Sequence, residues 1–307
     1  LAELSAQAER AAAEEVAARG REHPSLSECI DAVQRRTPLL WTRRPDDPGF
    51  CELRLGLGRQ PSRSEIKVSS RQDVPRDLTA EVMAVRDRFK YVDNVPVLAQ
   101  PLEHGAIGIA GPRDVVLGAA RSLVAQAVAL HSPAELVLVA VAADQRARDW
   151  QWLAWLPHTT SPHSPLKAPV GRAPVWPLAA THEEANALVS AVEDLIATRE
   201  GERRSAGGGP ARPAGPVVLV LVEDAVPVER SRLVEIAERG WRQGVVVLWL
   251  AEDVTHLPAA CRHFVTVQPG SPQAAAGFVH TGELVQPLQV DLLDAATADA
   301  LGRRLAP

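Results

Sequence analysis

From about residue 96 onward, short apolar runs alternate with longer segments in which apolar residues recur every three or four positions. The runs Ile107–Ala110, Leu136–Ala142, Val217–Val222, Val245–Ala251 and Phe264–Val267 are β-branched or leucine-rich throughout. That pattern predicts strands buried on both faces rather than half-solvated ones. Between them, Val115–Leu130, Glu183–Thr198 and Glu229–Arg239 carry the 3.6-residue period of helices. Strand and helix in alternation predict an α/β fold, a mainly parallel sheet with helices on both faces. Two further strands, near Gly277–Val279 and Leu284–Val290, and a helix near Ala296–Arg304 close the domain, while the Gly/Pro-rich stretch Ser205–Pro216 reads as a loop.

The first 95 residues follow a different pattern. Residues 1–22 carry charge on most faces, with Leu1, Leu4, Ala8, Ala11 and Ala12 as a thin apolar stripe, which predicts a solvated helix or coiled-coil stalk. Ser25 and Ser27 precede a second helix that ends near Arg36, because Pro38 stops it. After a turn at Pro45–Gly49, Cys51–Leu55 alternates as a strand; Ile66–Val68 reads as another, followed by a segment from Val82 to Tyr91. The expected organisation is a stalk helix (1–22), a linker helix with a small strand region (23–95), and an ATPase-like domain (96–307). No internal repeat is visible.

At 307 residues and 46% apolar, the chain can bury a full core. Its formal charge of −5 and dispersed arginines provide no basic stripe, which argues against nucleic acid as a partner. Cys29, Cys51 and Cys261 are far apart and odd in number, so neither a disulfide framework nor a zinc site is indicated. No apolar run approaches the roughly 18 residues of a membrane span, and no signal-peptide pattern is present. The chain opens at Leu1 in mid-helix, which reads as a piece of a longer protein.

Ala106 to His131 has the layout of a phosphate-binding loop: apolar strand, glycine turn, helix. A working loop reads G-x-x-x-x-G-K-[ST], with backbone N–H groups cradling phosphates, a lysine neutralising them and a hydroxyl holding Mg²⁺. Here the turn runs Gly111, Pro112, Arg113, Asp114, Val115, Val116, Leu117, Gly118, and the chain's three lysines, Lys67, Lys90 and Lys167, all lie elsewhere. Arg113 could reach a phosphate as a guanidinium fork. Its structural alternative is pairing with Asp114 or Glu103, and Pro112 removes one cradle donor. Glu223 and Asp224 end an apolar strand where an NTPase places the acidic pair that serves Mg²⁺ and water; they could equally cap a helix or face solvent. His158 and His163 flank a Pro-rich loop with no nearby cysteine or carboxylate to complete a metal site. Trp150, Trp152 and Trp155 read as packing anchors at a domain edge or partner interface. No G-x-S-x-G is present, so a serine hydrolase is unsupported.

Several segments together resemble a known family. They are His23–Cys29, Arg36–Pro45, Phe50–Gly58, Val92–Pro96, Gly111–Arg113, His131–Pro133 and Trp155–Thr160. They are similar to the region following the membrane helices in EccC, the FtsK/SpoIIIE-type motor of actinobacterial type VII secretion. The resemblance covers nearly the whole chain. It implies a RecA-like, P-loop NTPase-type domain with Val116 at the lysine position, Leu117 at the hydroxyl position and Glu223-Asp224 at the end of the Walker B strand. Arg239–Gly244 resembles the segment before the next strand. It further implies a place on the cytoplasmic face of the cell membrane, with partners among the membrane components of the secretion complex, downstream ATPase domains of the same chain, and self-assembly. The departures at 116 and 117 point to a structural or regulatory module rather than an active ATPase. The alternative is a divergent enzyme that binds Mg-ATP through Arg113 or Arg121 and Glu223 and hydrolyses it slowly.

Overall fold

The structure is a computed structural model that describes residues 2–64, 76–166, 177–205, 215–267 and 274–306. Helices α1 (Ala2–Glu22) and α2 (Leu26–Arg35) lead into strand β1 (Leu53–Pro61), helix α3 (Arg76–Arg88), strand β2 (Tyr91–Ala99) and the single turn α4 (Pro101–His104). Strand β3 (Ala106–Ala110), helix α5 (Arg113–Leu130) and strand β4 (Leu136–Val141) follow, then a 3-10 run over Asp144–Trp155 and the short β5 (Leu178–Ala179). Helix α6 (His182–Ser205), β6 (Val217–Glu223), α7 (Arg230–Arg239), β7 (Val245–Ala251), β8 (Cys261–Val267), β9 (Ala274–Phe278), β10 (Glu283–Val290) and α8 (Ala295–Leu305) complete the chain.

Among the described residues, ten strands form one sheet in the order β2-β1-β10-β9-β8-β3-β7-β6-β4-β5. The half from β8 to β5 is parallel, and β9, β10, β1 and β2 continue it in antiparallel fashion. Strand β7 separates β3, which leads into the glycine turn, from β6, which ends in the acidic pair.

Side chains on successive strand residues point to opposite faces, and the parallel strands use both. Leu136, Leu138, Leu219, Leu221, Leu248 and Leu250 join a core layer with α5, α2 and α8. Their neighbours Val137, Val139, Val218, Val220, Val245 and Val247 pack on the other face with α6 and α7. Each buried aliphatic side chain contributes on the order of 2 kcal/mol, so both registers are strongly held. The same alternation puts Glu223 in phase with Leu219 and Leu221, on the face covered by α5.

The parallel core agrees closely with the sequence expectation, while the N-terminal boundary does not. The division expected between residues 95 and 96 falls inside β2, whose pairing with β1 runs from Tyr91 to Ala99. β1 in turn pairs with β10, so the N-terminal strands extend the main sheet instead of forming a separate region. β2 carries no strand pattern in the sequence because Asp93, Asn94 and Pro96 break its apolar alternation; as the edge strand it tolerates a missing donor. Nor is α1 a fully solvated stalk. It packs on β2 and is pinned by Glu15, which accepts from Ser62 Oγ (2.8 Å) and Arg63 N (2.9 Å), and by Arg19, which donates to the Pro61 carbonyl (2.6 Å). Helix α2 begins with a capping box, Ser25 and Glu28 exchanging side-chain and backbone bonds. The strand expected at Ile66–Val68 and most of the Ser205–Pro216 loop lie outside the described residues.

Four of the segments that carry the family resemblance, Arg36–Pro45, Phe50–Gly58, His131–Pro133 and Trp155–Thr160, converge on the C-terminal end of α5. Trp41 Nε1 donates to the Val128 carbonyl (3.1 Å) and Arg43 N to that of Leu130 (2.9 Å). Cys51 N donates to His131 Nε2 (3.0 Å), Phe50 meets the His131 ring edge-on at 5.0 Å, and His158 Nε2 donates to the His131 carbonyl (2.8 Å). Those segments build a clasp that fixes α5 against the N-terminal strands.

Candidate functional site

The connection from β3 to α5 is only two residues long. Gly111 sits at φ 145°, and a Cβ there would meet the Val267 carbonyl oxygen at 2.6 Å, so the tight turn needs glycine. Pro112 is the N-cap and supplies no side-chain cap, and Val116 N already donates to its carbonyl at 3.0 Å. Arg113, Asp114, Val115, Val116 and Leu117 are therefore helical, where an active loop would arch around phosphates before its helix begins. Val116 and Leu117, which the resemblance assigns to the lysine and hydroxyl positions, are buried in the core layer under α5. One residue on, the Gly118 carbonyl accepts from Leu293 N (3.0 Å), so the chain entering α8 lies along this face.

Opposite the turn, Glu223 is only 1% exposed. Trp150 Nε1 donates to its Oε1 at 2.7 Å, Arg113 Nη2 to the same oxygen at 3.3 Å, and Arg146 Nη1 to Oε2 at 3.3 Å. Arg113 Nη1 also reaches Oε2 at 3.4 Å, and its Nη2 lies 2.5 Å from Asp149 Oδ2. Burial pulls the Arg113 guanidinium down, but its bonds to Glu223 and Asp149 outweigh that and hold it above the usual arginine range. Arg146 is shared with Glu252 at 3.0 Å. Asp224 is occupied too, by Arg230 and by Trp249 Nε1 at 3.4 Å.

Arg113 therefore pairs with neither Asp114 nor Glu103; it spans from the helix start to the acidic strand end. A carboxylate facing magnesium needs its oxygens open to metal-bound water. The Glu223 oxygens are instead covered by indole and guanidinium donors. Two of the residues that do this, Arg146 and Trp150, carry no sequence motif for that role, nor does Asp149, which holds Arg113 in place. The available signal was their position after the C-terminal end of a parallel strand, where ligand sites of open α/β sheets gather.

The remaining candidates are structural in the geometry they adopt. His158 is buried against His131 and Trp41, and burial pushes it down to about 4. His163 stands in the following loop with its N–H on Ser161 Oγ (3.2 Å). Trp150 and Trp152 are internal, whereas Trp155 is 40% exposed with Arg303 stacked 4.3 Å from its ring centre. Among the described residues, no group of three or more His, Cys, Asp or Glu is arranged to hold a metal ion. Arg121, two turns along α5 from Arg113, is buried without a bonded partner.

No protein-family model matches the chain. Sequence relatives are nonetheless clear: EccC of Geobacillus thermodenitrificans is 30% identical over 144 residues, covering 46% of this chain and 10% of that protein. EccC of Thermomonospora curvata is 29% identical over 280 residues, 88% of this chain and 20% of that protein. The chain is homologous to EccC proteins of ESX secretion systems. It spans between 10% and 20% of the length of these curated EccC relatives. Two solved structures share its fold: the cytoplasmic domain of T. curvata EccC (TM-score 0.51, 16% identity, 88% of this chain and 32% of that one) and ATPases 2 and 3 of G. thermodenitrificans EssC (TM-score 0.51, 11% identity, 88% and 50%). The fold is thus that of EccC-type, RecA-like ATPase domains, and among the described residues no helix is long and apolar enough to cross a membrane.

Proposed function

We propose that this chain is a structural and regulatory module of a type VII secretion motor protein. It retains the ATPase fold without nucleotide chemistry and couples the membrane complex to downstream ATPase domains. The observation that carries this reading is Glu223, held by Arg113, Arg146 and Trp150 in place of magnesium and water. The two-residue turn at Gly111-Pro112 and the buried Val116 and Leu117 support it from the phosphate side.

In this role α1 leads in from the membrane side on the cytoplasmic face, and the sheet, extended by β1 and β2, is a rigid block between membrane components and motor domains. Its partners would be further copies of that block and other secretion components, with nucleic acid disfavoured by the acidic balance of the chain.

The test is the melting temperature of the chain with and without excess Mg-ATP. A ligand at about a hundred times its dissociation constant adds roughly 2.7 kcal/mol, a shift on the order of 5 °C. The proposal expects no shift at millimolar nucleotide. A magnesium-dependent rise that Glu223→Gln removes would favour the divergent ATPase.

A further inference from the structure

We propose that Arg121 is a receptor for a carboxylate presented by a partner protein, at the seam between α5, the Asp144–Trp155 run and the start of α8. Arg19, Arg54, Arg121 and Arg199 are the buried arginines among the described residues. Arg19 donates to the Pro61 carbonyl and pairs with Glu15; Arg54 pairs with Asp291 at 3.0 Å; Arg199 donates to the Gln243 (2.7 Å) and Pro216 (2.9 Å) carbonyls. Arg121 is the exception. It is 7% exposed, its Nε is closed off from water with no acceptor, and no described residue hydrogen-bonds, ion-pairs or stacks with it.

The charged groups that act on it through space are Asp149, Asp294 and Arg113. Each is committed elsewhere. Asp149 is bonded to Arg113, Asp294 accepts from Thr297 N (2.9 Å) as the N-cap of α8, and Arg113 is bonded to Glu223. Burying a guanidinium without an acceptor costs free energy, and burial alone already weakens its hold on the proton. An acceptor from outside the chain would recover that cost.

The chemistry of the seam selects the ligand. A guanidinium fork matches a planar two-oxygen group, which it binds in bidentate fashion. Asp149 and Asp294 beside it disfavour a dianionic phosphate more than a singly charged carboxylate. Leu292, 51% exposed, lies against Gly118, one turn before Arg121, and gives an apolar contact to the segment that carries the acid. An aspartate or glutamate side chain beside an aliphatic residue on a partner surface fits this arrangement.

The 307-residue chain can be tested with sodium acetate and inorganic phosphate, each titrated at constant ionic strength against chloride. The readout is the ¹⁵N–¹H resonance of Arg121 Nε, assigned by its loss in Arg121→Lys. The proposal expects a saturable shift with acetate at lower concentration than with phosphate. It also expects Arg121→Met to melt about 3 °C above the wild type in chloride and to gain nothing from acetate. A resonance that moves first with phosphate, one that moves with neither anion, or a methionine variant that melts below the wild type would overturn it.

Discussion

The guanidinium of Arg113 lies 3.3 Å from Glu223 Oε1 and 3.4 Å from Oε2, so the first residue of α5, directly after the glycine turn, closes the acidic end of β6. In an active domain those two positions face each other across a nucleotide. Here they bond directly, and Trp150 and Arg146 fill the remaining acceptor sites.

That contact should be measurable as stability. Arg113→Ala leaves a buried carboxylate with fewer donors and should cost about 2 kcal/mol in urea unfolding. In a double-mutant cycle with Glu223→Gln the coupling should be about 1–3 kcal/mol. A coupling near zero would mean that the pair is not a structural bond.

Restoring the missing side chains should not restore binding. Val116→Lys with Leu117→Thr places an ammonium in an apolar layer below a turn too short to cradle phosphate, so the double variant should lose several kcal/mol of stability. Chemical denaturation and a nucleotide titration check both halves of that expectation; tight Mg-ATP binding by the double variant would show the turn to be competent.

Acid should destabilise the fold through three buried histidines. Burial pushes His131, His158 and His263 down to about 4. The unfolded chain takes up their protons near 6.5 and the folded chain does not, so stability is complete above 6.5 and is lost as pH falls toward 4. By pH 5 each histidine should have removed about 2 kcal/mol. Imidazole NMR titrations should find none of the three protonated above pH 5; midpoints near 6.5 would contradict this.

The three cysteines should be silent to thiol reagents. Cys29, Cys51 and Cys261 are buried and not disulfide-bonded, and burial pushes the Cys29 and Cys261 thiols up to about 12. Ellman's reagent should label none in the native chain and all after unfolding.

The parallel core was legible because both strand faces are buried, so runs such as Val245–Ala251 read as continuous apolar segments and match β7 end for end. Strand β2 was not, because an edge strand can carry Asp93, Asn94 and Pro96. At the candidate site, a glycine turn without lysine and the acidic pair at 223 and 224 stand in the sequence itself. Their partners do not: Arg146 and Trp150 are 77 and 73 residues from Glu223 and lie on a 3-10 run with no apolar period to announce it. Long-range ion pairs leave no local pattern, so only the folded chain shows that Glu223 is spoken for.

Equilibrium dialysis of labelled ATP with magnesium, against the wild type and Glu223→Gln, tests the central claim most directly. The account predicts no saturable binding by the wild type at millimolar nucleotide. Saturable, magnesium-dependent binding that Glu223→Gln abolishes would contradict it and return Glu223 to the metal.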